Sequence, residues 1–277
     1  MTRGLVQRGA AALAASILLV GAAPARAAPD WDIVGIRLGM SPEQVRAALS
    51  EHAPKAEVSE SRQQFTFNDG VGQQQLPDFL GSITARLGAA TSALAHPGSS
   101  GDAETLEVMF SAPPMQQRVI RVIRTLVLQD NPPPMERALA SVTQKYGEPP
   151  KIREANYGRG LVARWVEPGK TVCGDTAPTS QDAWQAPPVD NAPGGLSQYD
   201  AWHRRKLAPA DASHCSAALV VNLVTRAPGE PLVREMKLVM TDPGYAVPTM
   251  RATAQQLAEL QAKARKARMD SGTAPKL

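Results

Sequence analysis

The apolar residues of this chain change period several times, and each change predicts a new element. From Ser41 to about His52 they recur at Val45, Ala48 and Leu49, the spacing of one helical face. Ser41 is a good N-cap, Pro42 fits the first helical position, and Gln44 completes an S-x-x-Q capping box. Met40 and Val45 hold the two positions of a hydrophobic staple. From Ala56 to Phe67 the pattern turns extended, with Phe65 and Phe67 alternating around Thr66 before the Asn68-Asp69-Gly70 break. Ile83, Ala85 and Leu87 alternate on a further strand, and residues 89–102, rich in small residues, read as a loop. Thr105 to Ser111 alternates and stops at Pro113-Pro114. The stretch from Arg118 to Leu128 fits either period. Its β-branched content and the short turn before it favour a strand, which completes a hairpin.

The second half begins after Pro132-Pro133-Pro134. Met135, Leu139, Val142 and Tyr146 form an apolar stripe, Gly147 takes the position after the helix, and Pro149-Pro150 stop it. Leu161, Ala163 and Trp165 alternate on a strand. Two strong strands follow, over 217–225 and 232–240, joined by the Arg226–Glu230 turn. A last helix is expected from near Thr249, basic and alanine-rich after Gln261, with a disordered tail from Ser271. The order helix then strands, twice, predicts an α+β fold. One helix covers an antiparallel sheet in each half, giving two layers and a degenerate tandem repeat. The units are 28–130 and 131–248, followed by 249–277.

Residues 1–27 read as an export signal. Arg3 and Arg8 precede an apolar run over 10–20 and an Ala25-Arg26-Ala27 cleavage site. That run is on the order of 11 residues, where a membrane span needs about 20. A soluble periplasmic or secreted product, starting near Ala28 and without a transmembrane segment, is the expectation. The net charge of +4 then shrinks, because Arg3, Arg8 and Arg26 leave with no acid beside them. Nucleic-acid binding, which needs basic residues gathered on one face, is not expected.

Cys173 and Cys215 are the two cysteines. In an oxidising compartment such a pair reads as a disulfide, and closing a loop of roughly 40 residues contributes about 4 kcal/mol in the chain-entropy model. It would clamp the ends of a long, weakly patterned insertion over 171–214. Within that insertion Trp184, Tyr199, Trp202, Arg204 and Arg205 form a candidate binding surface, since aromatic and arginine side chains dominate hot spots. The alternative is that the rings anchor the loop onto the sheet.

The search for catalytic chemistry finds no motif. His52, His96, His203 and His214 lack partners at metal-ligand spacing, and no G-x-S-x-G, S-x-x-K or H-E-x-x-H is present. No catalytic, cofactor or metal residue is assigned. A binding module acting on an unknown protein or envelope component is therefore the first reading. The alternative from the residues is a periplasmic enzyme built around the insertion, with His203, His214 and Asp200 or Asp211 converging.

The run Gly35-Ile36-Arg37-Leu38-Gly39-Met40-Ser41-Pro42-Glu43-Gln44-Val45 resembles the G-x-x-x-G-M-[ST]-x-x-[EQ]-V opening of small bacterial envelope modules. These include the SmpA/OmlA outer-membrane lipoproteins and the modules of β-lactamase inhibitor proteins. Lys145-Tyr146-Gly147-Glu148-Pro149 looks like the helix ending of the same group. The whole is similar to exported, uncharacterised proteobacterial proteins with the same opening, the KYGxP ending and later cysteines. The resemblance covers a folding signature, so it implies an envelope location and no ligand residues; by analogy with the inhibitor modules alone, it also implies a secreted inhibitor as an alternative.

Overall fold

A computed structural model of the chain describes residues 30–88, 101–155, 158–170 and 215–271. Ser41 opens α1 (Pro42–His52) with both halves of the capping box made: the Ser41 N–H donates to Gln44 Oε1 at 2.9 Å, and Ser41 Oγ accepts from the Gln44 N–H. Strands β1 (Glu57–Gln63), β2 (Thr66–Asn68), β3 (Gln73–Gln75), β4 (Phe79–Gly88), β5 (Ala103–Phe110) and β6 (Val119–Val127) follow. After α2 (Met135–Tyr146) come β7 (Lys151–Glu154), β8 (Gly160–Val166), β9 (Ala218–Thr225), β10 (Val233–Thr241) and α3 (Pro243–Ser271).

Eight strands make one antiparallel sheet in the order β1-β4-β5-β6-β10-β9-β8-β7, while β2 and β3 pair in a separate hairpin. The strands of the first half lie on one side and those of the second on the other, meeting where β6 pairs with β10. Fold class at the level of helices packed with an antiparallel sheet is as expected. The ambiguous 118–128 segment is indeed a strand.

Facing residues share a side of the sheet, and one side is apolar. Its middle row runs Val58, Ala85, Leu106, Arg124, Leu238, Val221, Ala163 and Ile152. Val45 and Leu49 of α1 and Ala138 and Val142 of α2 bury against this side, in one core that also takes Phe110, Leu219 and Met240. Burying a side chain of this size stabilises the fold by about 1.5–3 kcal/mol. Both helices therefore serve one continuous core.

Three elements depart from the expected pattern. The expected extended stretch up to Phe67 runs into β2, but its partner β3 and the strand β7 are short and mostly exposed, so those two carry no apolar period to read. Helix α3 starts six residues earlier than Thr249, with Asp242 accepting from the Tyr245 and Ala246 N–H groups. Pro248, inside the helix, hid that start. Leu257 of α3 packs with Phe65, Phe79 and Ala112, so the helix crosses an end of the sheet beside the β2–β3 hairpin.

Candidate functional site

The side of the sheet turned away from α1 and α2 is polar over most of its width. One cross-strand row on it runs through all eight strands: Glu57, Arg86, Thr105, Thr125, Lys237, Asn222, Val162 and Arg153. The adjacent row is Ser59, Thr84, Glu107, Ile123, Val239, Val220, Arg164 and Lys151. Both rows lie opposite the side that builds the core, because successive side chains leave a strand on opposite faces; the first is polar except at Val162, while the second is interrupted by Ile123, Val239 and Val220.

Burial is uneven across this side. Val162, Val220, Val239 and Arg164 are buried, whereas Arg86 is exposed and Thr84, Thr105, Glu107, Thr125, Lys237 and Asn222 are half-buried. The accessible part therefore spans β4, β5, β6, β10 and β9. It offers hydroxyls, an amide and charges of both signs on a surface whose backbone hydrogen bonds are already made. Such a surface holds its side chains at fixed spacing, about 4.7–4.9 Å between neighbouring strands. It can recognise a polar partner with little ordering of its own backbone.

The helix-packed side holds two charged groups. Glu104 Oε1 accepts from Arg124 Nε at 2.7 Å and lies 2.9 Å from His52 Nε2, joining the end of α1 to β5 and β6. The carboxylate is 12% exposed, so Arg124, set in the middle of an apolar row, has its counter-charge beside it. No local sequence signal links His52 to Glu104, since 52 residues separate them.

The second group gathers Asp32, Lys145, Tyr146 and Trp165. Asp32 Oδ1 accepts from the Gly35 N–H at 2.8 Å and from Lys145 Nζ at 3.0 Å. Tyr146 donates its hydroxyl to the Asp32 carbonyl oxygen, its ring lies 5.8 Å from that of Trp165, and Trp165 Nε1 donates to the Gly147 carbonyl. Partial burial pushes the Asp32 carboxyl up, but the Gly35 N–H and the Lys145 ammonium outweigh it and hold it below the usual carboxylate range. Burial, helped by the Asp32 charge and opposed by Arg124, pushes the Tyr146 phenol up to about 12.

A third cluster closes the far end of α3. Asp69 accepts from the Gly72 and Val71 N–H groups through Oδ1 and from Gln74 and Arg268 through Oδ2. The two backbone donors, with Arg268, hold its carboxyl well below the usual range.

The five residues expected to form a binding surface, Trp184, Tyr199, Trp202, Arg204 and Arg205, lie outside the described residues, as do His96, His203, His214, Asp200, Asp211 and Cys173. Cys215 is described and fully buried at the entry to β9. His52 ends α1 as the sequence implied. The polar sheet rows were legible only as the unused half of each strand's alternation, and nothing in the sequence marked them as adjacent. Among the described residues no group of three His, Cys, Asp or Glu side chains is placed to hold a metal, and no helix is long and apolar enough to cross a membrane. Comparison with protein-family models, with curated proteins and with solved structures gives no match to this chain.

Proposed function

We propose that this is an exported, non-enzymatic binding module of the bacterial envelope, and that it meets its partner protein on the polar side of the sheet. The row from Arg86 through Thr105, Thr125 and Lys237 to Asn222 carries this reading, because it spans both halves and none of its polar groups is fully buried. The same reading takes the two halves as a degenerate duplication, supported by strand orders that run inward from each edge to β6 and β10. It also takes Cys173 and Cys215 as a disulfide, supported by the complete burial of Cys215. Periplasmic placement rests on the leader over 1–27 and on the likeness of the Gly35–Val45 run to envelope modules.

The test is photo-crosslinking in the native cell from a reactive residue placed at Thr105, with Glu51 on the exposed side of α1 as control. A recurring envelope-protein adduct from Thr105 alone, lost in the Arg86→Glu, Lys237→Glu variant, is the expected result. Equal adducts from both positions, or none from Thr105, would defeat the proposal. Fractionation should recover the processed chain in the periplasm.

A further inference from the structure

The end of α3 and the tip of the β2–β3 hairpin bring together features that are far apart in the chain. Arg268 Nη2 sits 2.9 Å from Asp69 Oδ2, and the Arg265 side chain runs over Gly70. Val71, two residues beyond Asp69, is 74% exposed, and Met269, one residue beyond Arg268, is 75% exposed. They are the two most exposed large apolar side chains among the described residues. The same last stretch of α3 carries Lys263, Arg265 and Lys266, all exposed and without an ion pair among the described residues. Arg265 and Lys266 precede Met269 by four and three residues, so they share its helical face. Asp270 is the one acid in this last stretch of helix, and the Asp69 charge is already taken by Arg268.

We infer that this tip is a docking point for an anionic phospholipid surface, with Val71 and Met269 entering the headgroup boundary and Lys263, Arg265 and Lys266 meeting the lipid phosphates. An isolated basic helix face would be explained by solvation alone. Two fully presented apolar side chains beside unneutralised basic groups are instead the combination that binds interfaces reversibly. The clasp between Asp69 and Arg268 fixes the end of α3 to the hairpin tip, so the two apolar side chains and the basic groups are presented by one joined unit.

Sedimentation with vesicles tests this, using the purified full-length protein with identical leader processing throughout. Vesicles of phosphatidylcholine with 30% phosphatidylglycerol are compared with pure phosphatidylcholine. Each basic group near an anionic surface contributes roughly fivefold in affinity. Combining Lys263→Gln, Arg265→Gln and Lys266→Gln should therefore weaken binding to the anionic vesicles by about a hundredfold. Val71→Ser with Met269→Ser should weaken it severalfold, and both variants should keep the wild-type urea midpoint. Equal partition onto the two vesicle types, or unchanged binding in either variant, would overturn the inference.

Discussion

Tyr146, in the last turn of α2, donates its hydroxyl to the carbonyl oxygen of Asp32 at 2.8 Å, across 114 residues of chain. The helix-ending signature therefore reaches the residues just before the Gly35–Val45 run, whose Gly35 N–H also binds Asp32. The helix-ending Lys145-Tyr146-Gly147 holds Asp32, at the entry to the Gly35–Val45 run, through an ion pair and a hydrogen bond. A local start and a local stop become one long-range joint between the halves.

Removing that joint is the first prediction. Tyr146→Phe keeps the ring against Trp165 and deletes the donor, so it should cost about 1–2 kcal/mol in urea unfolding. The alkaline limb gives an independent check. A phenol ionises near pH 10 in an unfolded chain, while Tyr146 holds its proton to about 12 in the fold. Its contribution is full below pH 10 and falls away between 10 and 12. The wild type should lose stability there more steeply than the Phe variant.

The Glu104 carboxylate should matter more than its histidine partner. Glu104→Gln removes the negative charge facing Arg124 and leaves a partly buried guanidinium uncompensated, at about 1–3 kcal/mol. His52→Ala leaves the Arg124 pair in place and should cost less. A double-mutant cycle between positions 104 and 124 should show coupling, and near-zero coupling would remove this account.

Acid should release the hairpin from α3 before it disturbs the core. The Asp69 carboxyl is held below its ordinary value, so the fold favours the deprotonated form. The contribution is complete above about pH 4, where the carboxylate is ionised in the unfolded chain too, and declines as the pH falls below that. Hydrogen exchange at pH 3, compared with pH 5, should show protection weakened but not abolished in residues 66–75 and the last turns of α3, with β5, β6, β9 and β10 unchanged. The Asp69→Asn variant should show a larger loss in the same segments already at neutral pH.

Gly160 faces the backbone of β9 so closely that a Cβ there would overlap the Leu223 carbonyl, and its φ of 132° lies where side chains are strained. Gly160→Ala should displace the β8–β9 register at its start and cost more than the usual ~1 kcal/mol of a Gly effect. Gly169→Ala, at a turn with nothing near its Cβ, bears only its positive φ and should cost less. Equal unfolding midpoints would refute the steric argument.

Local rules in the sequence determined the capped start of α1, the glycine-ended stripe of α2 and the alternating strands. Their causes lie within a few residues: an N-cap hydroxyl, an i, i+4 face, a period of two. Those rules separated apolar from polar in β4, β5, β8, β9 and β10, so the core face of those strands was legible one strand at a time, whereas β1 is almost wholly polar and β6 fits either period. Which strands stand side by side was not, because register is a long-range property. Only the tertiary structure decided that Arg86, Thr105, Thr125, Lys237 and Asn222 form one row, that Glu104 meets both His52 and Arg124, and that Asp69 holds Arg268. Periodicity sets the direction in which a side chain leaves its own strand or helix. Its neighbours are chosen by strand pairing and helix docking, which bury the apolar halves together and leave the polar halves to fall where the sheet puts them.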